Sequence, residues 1–269
     1  MSYGVKAVIF DWAGTMVDFG CLAPVEALVA GFAAEGVPIS PAEARADMGR
    51  PKRDHVWALL RHPRIADAWT AARAAPPGEA DCDRLFGAIE PLLVSAAAQH
   101  CDLIPGAATL AQALRARGVR IGSCTGYTRA MMAGILQHAA AAGYAPDAVV
   151  CAGETPSGRP SPLMVWKALI ELDAWPGGAC VKVDDSEVGI EEGLAAGCWT
   201  IGVAASGNGV GLGLADYEAL ADADRRARVA RAAAALRGAG AHFVVDTVAD
   251  LLPVLDKISA SILSGQTPA

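Results

Sequence analysis

The sequence predicts an α/β fold: a Rossmann-like, doubly wound parallel sheet with an inserted all-helical cap domain. Three observations support this prediction. An apolar run at residues 5–10 has the length and composition of a strand buried on both faces, and it ends at an acid, Asp11. Residues 21–99 carry helical periods and no convincing strand. From residue 105 onwards, short apolar runs alternate with helical patterns, which is typical of βαβ units.

The first strand brings Asp11 to a turn loosened by Gly14. An acid at the carboxyl end of a buried parallel strand lies where open α/β sheets bind their ligands. A lone aspartate at such a place can equally cap the turn that follows it. The choice between a catalytic and a structural Asp11 therefore depends on residues further along the chain.

The composition excludes several classes of protein. The chain has 269 residues, of which 53% are hydrophobic. Much of that content is alanine, and no stretch approaches the ~18–20 uninterrupted apolar residues of a spanning helix. A net charge of −7 disfavours nucleic acid as a partner. Seven cysteines without Cys-x-x-Cys spacing indicate reduced thiols, and the first strand begins too early for a signal peptide. We therefore expect a cytoplasmic protein with no membrane partner.

Residues 21–99 form the predicted cap domain, inserted between the two parts of the core domain, 1–20 and 100–269. Residues 18–24 read as the connector that leads into it. A serine N-cap, a proline and a capping-box acid start a helix at residues 40–43, and another helix opens at Pro51. The first helix of this region is indicated by apolar residues at helical spacing, namely Val25, Leu28, Val29 and Phe32.

The remainder of the chain supplies the rest of the predicted sheet. Helices are expected at 107–117, 128–142, 162–173 and 187–196. Strands are expected at 119–124, 148–152, 180–184, 199–203 and 242–245. The tail after Ser259 is expected to fray.

Two further stretches resemble functional motifs, but we expect neither to bind a ligand. The glycine-rich residues 207–213 fit neither Gly-x-Gly-x-x-Gly nor a P-loop with its lysine, so we interpret them as a mobile loop after a strand. An alanine-rich helix carries the arginines 225, 226, 228 and 231 behind two acids, an arrangement that agrees with the helix dipole. We interpret that helix as having a solvated basic face.

Four predicted strand ends or loops carry groups that together suit phosphoryl transfer. Asp11 can attack phosphorus, while Thr125 and Arg159 can hold the equatorial oxygens where charge accumulates. Asp185, together with Asp184, can hold a Mg²⁺ ion that offsets the repulsion between the anionic nucleophile and the anionic phosphate. The alternative is that these residues have only structural roles. They would then be four separate caps and turns that follow one another in this order.

These residues give the chain its resemblance to the haloacid dehalogenase superfamily of phosphotransferases. Its nucleophile motif, Asp-x-Asp-Gly-Thr, matches residues 11–15 except at Ala13. The resemblance continues through Thr125, the Arg159-Pro160 pair and the acidic pair at 184–185. In ordinary phosphatases of this superfamily the second aspartate protonates a leaving alkoxide. Because alanine cannot transfer a proton, the leaving group here must need no such acid, or the protein is impaired.

Lys52 provides a reason why no acid is needed. It lies in the first turn of a predicted helix, where the positive end of the dipole lowers the pKa of an amine. A neutral lysine forms an imine with an aldehyde or ketone, and an imine β to phosphorus accepts the electrons of the breaking P–C bond. His55 shares this helix face and can carry the proton. An ordinary solvated lysine is the alternative.

The whole chain resembles the phosphonoacetaldehyde hydrolase family. The matching motifs are Asp-x-Ala-Gly-Thr at 11–15, Met-Gly-x-x-Lys-x-x-His at 48–55 and Thr-Gly-Tyr-Thr at 125–128, together with Ala-Gly-x-Trp-Thr at 196–200 and a linker cysteine, Cys21. The resemblance implies a Mg²⁺-dependent homodimer that acts on a small phosphonate and whose cap supplies the imine lysine. One departure is visible, because some relatives carry Gly-Asp-Thr and a further aspartate where this chain has Asp184 and Gly189.

The predicted site therefore has three groups of residues. By analogy Cys21, Tyr127 and Met48 surround the lysine, although Cys21 can equally be a small buried hydrophobe and Tyr127 plain packing. The catalytic residues are Asp11, Lys52 and His55; the substrate-binding residues are Thr125, Gly126, Arg159, Tyr127, Cys21 and Met48; the metal residues are Asp11, Ala13, Asp185 and Asp184.

Two other functions remain as alternatives. A phosphate monoester phosphatase or phosphomutase of the same superfamily would require an acid at residue 13, and its turnover would not depend on Lys52. A non-catalytic sensor of phosphorylated metabolites would bind ligands without phosphorylation of Asp11.

Overall fold

A computed structural model describes residues 3–268 as one six-stranded, all-parallel sheet with helices on both faces, which confirms the predicted fold class. The strand order is β3-β2-β1-β4-β5-β6. The strands are β1 (Ala7–Phe10), β2 (Arg120–Thr125), β3 (Ala148–Cys151), β4 (Cys180–Asp184), β5 (Trp199–Val203) and β6 (Phe243–Val245).

The described part of the chain contains twelve α-helices, and five of them follow one another between β1 and residue 100. Those five are α1 (Leu22–Ala34), α2 (Pro41–Arg45), α3 (Lys52–Arg61), α4 (Pro63–Arg73) and α5 (Glu79–Gln99). The others are α6 (Ala107–Ala116), α7 (Arg129–Ala141), α8 (Leu163–Glu171), α9 (Glu187–Ala195), α10 (Leu214–Ala219), α11 (Asp222–Gly238) and α12 (Leu251–Leu263). Across residues 3–268, none of these helices combines the length and the apolar character that crossing a bilayer requires.

The core forms on both faces of β1, as expected for a strand whose residues alternate between two buried faces. Val8 and Phe10 belong to the large apolar cluster that includes residues of α6, α7 and α12. Ala7 and Ile9 point to the opposite face and pack with residues of α8. β1 is flanked by β2 and β4, so the chain order reverses beside it. Ligands of open α/β sheets bind at such a reversal, beyond the carboxyl ends of the strands.

The structure differs from the sequence prediction at two helix ends. The predicted connector ends early, because α1 begins at Leu22. The Asp18 carboxylate accepts the main-chain N–H groups of Leu22 at 2.8 Å and Ala23 at 3.0 Å, which satisfies the start of the helix. The expected fraying after Ser259 is also wrong, since α12 continues to Leu263. Ser259 is buried and its hydroxyl accepts the main-chain N–H of Gly4 at 2.8 Å, which anchors this helix to the start of the sheet.

Candidate active site

A small, partly open cavity lies where the helical segment 22–99 meets the carboxyl ends of β1, β2 and β4. Its volume is about 20 Å³, close to the space that one water molecule needs, so the helical segment packs closely over these strand ends. Ten of the twelve residues predicted for the site line it; the other two, His55 and Asp184, do not. The lining residues are Asp11, Ala13, Cys21, Pro24, Met48, Gly49, Lys52, Thr125, Gly126, Tyr127, Arg159 and Asp185.

Asp11 lies at the floor of this cavity, immediately after β1. Its main-chain N–H continues the ladder to the Val183 carbonyl at 3.0 Å, so the position of the residue is fixed by the sheet. One carboxylate oxygen lies 2.7 Å from Nη2 of Arg159. Burial raises the pKa of Asp11 to about 6, and the positive charge of Arg159 opposes this rise. Asp11 is therefore a carboxylate at neutral pH, oriented by one arginine.

Arg159 is held in place by groups on three different elements. Its Nε donates to Glu192 at 2.9 Å, and its Nη2 donates to the Cys124 carbonyl at 2.8 Å. Nη2 also lies 3.3 Å from Asp184. Burial opposes the charge of the guanidinium, but the surrounding carboxylates raise the pKa of Arg159 well above its usual value. The arginine stays charged and keeps a fixed orientation toward Asp11.

Two buried charged residues beside Arg159 were missed by the sequence analysis. Lys182, in the middle of β4, and Glu192, in α9, are each fully buried. Nζ of Lys182 lies 2.5 Å from Asp184 and 3.6 Å from Glu192. A signal for Lys182 was available, because a lysine inside the otherwise apolar strand Cys180–Asp184 needs a buried partner. Glu192 carried no comparable signal, since acids on the exposed faces of helices are common.

Three aspartates form a group that can hold a metal ion. Asp11, Asp184 and Asp185 are buried and offer carboxylate oxygens that all lie within 4.8 Å of one another. Burial and the neighbouring carboxylates raise the pKa of Asp185 well above its usual value, which indicates negative charge without sufficient compensation. An all-oxygen donor set favours a hard divalent cation such as Mg²⁺ or Ca²⁺.

The balance of buried charge agrees with a divalent cation. Around the base of the cavity four carboxylates face two cations, so two negative charges remain when every acid is ionised. Lys52 forms no salt bridge with these acids in the described part of the chain, and burial lowers its pKa. The four acids are Asp11, Asp184, Asp185 and Glu192, and the two cations are Arg159 and Lys182.

Asp184 differs from the other two aspartates because both of its oxygens already accept hydrogen bonds. Oδ1 accepts the main-chain N–H of Ser186 at 3.0 Å and the Ser186 hydroxyl at 2.7 Å. Oδ2 accepts Nζ of Lys182 at 2.5 Å and lies 3.3 Å from Nη2 of Arg159. This arrangement favours a role for Asp184 in orienting the two cations over direct coordination of a metal.

Gly189 explains the departure from the family motif at the same place. A Cβ atom at residue 189 would lie 2.0 Å from Cγ of Asp184 and 2.1 Å from its Oδ2. The Asp184 carboxylate therefore occupies the space that a side chain at residue 189 would take. Because this chain carries an additional acid, Asp184, at the end of β4, residue 189 has to be glycine.

Lys52 reaches the cavity from the opposite side, at the first turn of α3. It is 4% exposed, its Nζ lies 3.6 Å from Sδ of Met48, and it lies 5.4 Å from the centroid of the Tyr127 ring. Burial lowers the pKa of the Lys52 amine, with Cys21 and Asp11 opposing. The structure thus surrounds Lys52 largely with uncharged groups, an environment that favours a neutral, nucleophilic amine.

The loop before α3 comes close to the sheet because glycines face it. A Cβ atom at Gly126 would lie 2.7 Å from the carbonyl oxygen of Arg50. Gly49 has a φ of +92°, and a Cβ there would lie 2.3 Å from the Ser186 hydroxyl. Larger residues at either position would lift this loop, and Lys52 with it, away from the cavity floor.

His55 lies one turn after Lys52 and is fully buried, outside the lining of the cavity. Burial and the neighbouring Lys52 lower the pKa of His55 to about 3, so its imidazole is neutral at physiological pH. A neutral imidazole is able to accept a proton. Its position one helical turn from Lys52 is compatible with the predicted role of His55 as a proton carrier.

The remaining predicted residues form the wall around Lys52. The Thr125 hydroxyl accepts the main-chain N–H of Tyr127 at 3.1 Å, which fixes the turn after β2. Tyr127 is 4% exposed. Cys21, at the start of α1, has a left-handed φ of +53°. Burial raises the pKa of the Cys21 thiol, which therefore stays protonated. Both side chains border the cavity and also belong to the large apolar core cluster.

Comparisons with known proteins agree with this geometry. Residues 5–197 match the family of haloacid dehalogenase-like hydrolases. The chain is 50% identical over 264 residues to a phosphonoacetaldehyde hydrolase of Paraburkholderia phytofirmans, with 98% of this chain and 99% of that protein covered. It is 43% identical to a phosphonoacetaldehyde hydrolase of Syntrophobacter fumaroxidans, with 98% and 95% covered.

A solved structure extends the comparison to the fold. The crystal structure of a phosphonoacetaldehyde hydrolase-like protein from Oleispira antarctica superimposes with a TM-score of 0.97 at 41% identity. The alignment covers 100% of this chain and 98% of that one. The similarity therefore includes the helical segment 22–99 as well as the sheet.

Proposed function

The chain belongs to the haloacid dehalogenase-like hydrolases and, within them, to the phosphonoacetaldehyde hydrolases, and on this premise we propose how it cleaves the C–P bond of phosphonoacetaldehyde. The products are acetaldehyde and phosphate. The observation that carries the proposal is a single cavity lined by Lys52, Asp11 and Ala13. The amine of Lys52 suits a substrate carbonyl, and the carboxylate of Asp11 suits phosphorus at the other end of the substrate. Ala13 supplies no acid between them.

The first step is condensation at Lys52. The neutral amine adds to the aldehyde carbon, and loss of water together with uptake of one proton from solvent gives a protonated imine. The buried position of Lys52 supports this step, because burial lowers the pKa of the amine. His55, one turn along α3, relays a proton from the amine nitrogen to the departing oxygen and is neutral again after the relay, as its low pKa requires.

The second step is transfer of phosphorus to Asp11. A carboxylate oxygen of Asp11 bonds to phosphorus while the P–C bond breaks, and the electron pair of that bond forms an enamine at Lys52. Arg159, 2.7 Å from Asp11, is positioned to bind a phosphoryl oxygen as charge develops. Thr125 and Gly126 supply further donors at the end of β2.

The absence of an acid at residue 13 follows from this chemistry. In ordinary members of the superfamily the leaving group is an alkoxide that requires a proton. An enamine leaves without one, so Ala13 provides space for the imine and no proton. Cys21, Met48 and Tyr127 surround this space and keep the imine away from bulk water.

The remaining steps regenerate both residues. The enamine takes a proton on carbon, and water hydrolyses the resulting imine to acetaldehyde and free Lys52. A second water attacks phosphorus in the aspartyl phosphate, which releases phosphate and restores the Asp11 carboxylate. This order leaves neither residue modified after a turnover.

We propose that Mg²⁺ is held by the Asp11 and Asp185 carboxylates and by the main-chain carbonyl of Ala13, with Asp184 orienting Arg159 and Lys182 beside them. When bound, the ion offsets repulsion between the Asp11 carboxylate and the phosphonate. The two negative charges in excess around Asp11 support a divalent ion at this place.

Three coarser features accompany this mechanism as proposals. Residues 21–99 act as the cap domain on a core of 1–20 and 100–269, and opening of the cap admits the substrate. The family resemblance also favours a homodimer and a cytoplasmic location. Light scattering at micromolar concentration tests the dimer directly.

Turnover with matched substrates tests the proposed function. We expect phosphate release from phosphonoacetaldehyde in the presence of Mg²⁺ and its loss in Lys52→Arg, which keeps a long basic side chain but cannot form an imine. Small phosphate monoesters are the comparison substrates. Monoester hydrolysis that is unaffected by Lys52→Arg, without release from phosphonoacetaldehyde, would identify a phosphatase instead.

A further inference from the structure

The glycine-rich loop at residues 204–213, between β5 and α10, has no role in the mechanism above. It lies, however, against the metal-binding residues. The main-chain N–H of Asn208 donates to Oδ2 of Asp185 at 2.7 Å. A Cβ atom at Gly207 would lie 2.5 Å from Cβ of Asp185, so the loop and this aspartate are in direct contact. The loop thus fixes the orientation of one carboxylate oxygen of Asp185.

The same loop is fastened to the nucleophile turn. The Ser206 hydroxyl donates to the Gly14 carbonyl at 2.8 Å, and the Ser206 carbonyl accepts the N–H of Gly20 at 2.7 Å. Ser206 is fully buried. One loop therefore contacts both the turn that follows Asp11 and the carboxylate of Asp185.

Arg45, the last residue of α2, connects this loop to the helical segment. Its Nη1 donates to the Asn208 side-chain oxygen at 3.0 Å and to the Gly20 carbonyl at 2.9 Å. Its Nη2 donates to the Gly211 carbonyl at 2.9 Å. In return, Nδ2 of Asn208 donates to the Arg45 carbonyl at 3.2 Å. Asn208 and Arg45 therefore form a reciprocal pair between the helical segment and the sheet.

Asn208 uses both of its polar ends. Its side chain contacts α2 through Arg45, while its main-chain N–H contacts Asp185. Movement of α2 away from the sheet would break the side-chain contacts and release the peptide that orients Asp185. In the described chain Arg45 forms no salt bridge, so its charge is directed entirely at these neutral acceptors.

We propose that Arg45 and Asn208 are positioning residues that couple the seating of the helical segment to the geometry of the metal ligand Asp185. The metal site is then well formed only when the helical segment is closed over the sheet. The same closure brings Lys52 to the cavity. The inference rests on the proposed function, since Asp185 serves there as a ligand of Mg²⁺. Neither residue touches the substrate.

Calorimetric titration of the full chain with Mg²⁺ alone tests this pair. We expect Asn208→Ala and Arg45→Gln each to weaken Mg²⁺ binding about tenfold, the usual effect of removing an outer partner of a metal ligand. The double variant should bind no more weakly than the weaker single variant, because both changes open the same connection. Arg64→Gln is the control, since Arg64 contacts Glu43 of α2 without reaching the loop.

The outcomes separate the pair from the proposed function. Unchanged Mg²⁺ affinity in folded variants, or strictly additive losses, would overturn the coupling. Should Arg45→Gln unfold, Arg45→Lys keeps the charge but not the forked contacts, and it should give the same direction of change. Wild-type protein that binds Mg²⁺ but releases no phosphate from phosphonoacetaldehyde would refute only the function. Wild-type protein that binds no Mg²⁺ would refute both.

Discussion

Glu192 accepts a hydrogen bond from Nε of Arg159 at 2.9 Å, and this contact determines how the arginine faces Asp11. With Nε engaged, Nη2 is left to lie 2.7 Å from the Asp11 carboxylate. Neither residue of the pair is exposed, so water cannot substitute for the lost partner. Glu192 is thus a positioning residue for Arg159, the arginine that we propose binds the phosphoryl group.

Glu192→Gln should lower kcat of phosphonoacetaldehyde hydrolysis by about tenfold or more, because a charge-assisted hydrogen bond to Arg159 is weakened. Glu191→Gln, at the exposed neighbouring residue, is the matched control and should keep the wild-type kcat. Steady-state phosphate release measures both. Equal kcat in the two variants would show that Arg159 is held without Glu192.

Asp184 and Gly189 should behave as a linked pair. Gly189→Asp alone places a second carboxylate on top of Asp184 and should destabilise the protein by about 3 kcal/mol. Adding Asp184→Gly to it should restore most of that loss, since the space is then empty. Denaturant unfolding measures each free energy.

The control for this pair is Gly134→Ala in α7, where a Cβ atom meets nothing within 4 Å. It should stabilise the protein by about 0.5–1 kcal/mol through helix propensity. A Gly189→Asp variant as stable as the wild type would mean that Asp184 moves freely.

The sequence was sufficient for the strands and for most of the cavity. Apolar runs of strand length identified all six strands, because strands buried on both faces contain few polar residues. Asp11, Lys52 and Arg159 were found because each belongs to a short local motif. All three residues line the same cavity.

Other features were not visible because they depend on contacts between distant residues. Glu192 resembles any helical acid until Arg159 is placed beside it, and the exclusion of a side chain at Gly189 depends on the rotamer of Asp184. The glycine-rich residues 207–213 were interpreted as a mobile loop because glycine content is a local property. Its hydrogen bonds to Arg45 and Asp185 are made across the fold.

Ala13→Asp should exchange one activity for another. The new carboxylate supplies the proton that an alkoxide needs, and general acid catalysis is worth about 100-fold or more on phosphate monoesters. It also places a negative charge in the cavity with Lys52, which raises the pKa of the amine and suppresses imine formation. We expect kcat/KM to rise for monoesters and to fall for phosphonoacetaldehyde.

Ala13→Asn separates the two effects of that change, since it has the same size but no proton to donate. It should gain no monoester activity. Wild-type turnover of phosphonoacetaldehyde in Ala13→Asp would contradict the assigned purpose of the alanine.

His55 should make stability depend on pH below neutrality. Burial lowers the pKa of His55 to about 3 from an unfolded value of 6.5. The unfolded chain therefore binds a proton that the folded chain does not, and this contribution to stability is lost as pH falls from 6.5 toward 3. Relative to His55→Asn, the wild type should lose about 2 kcal/mol between pH 7 and pH 5.

Urea unfolding of both proteins at the two pH values measures this difference. His62→Asn, at an exposed residue of the same helical segment, is the control. A wild type and His55→Asn variant with parallel pH dependence would show that His55 is able to take up its proton inside the fold.

Reductive trapping tests the imine most directly. The protein is treated with borohydride in the presence of phosphonoacetaldehyde, and the modified residue is mapped by mass spectrometry of its peptides. Our account predicts irreversible inactivation with a two-carbon adduct on Lys52 alone. An active protein that yields no adduct, or an adduct on another lysine with Lys52 unmodified, would contradict it.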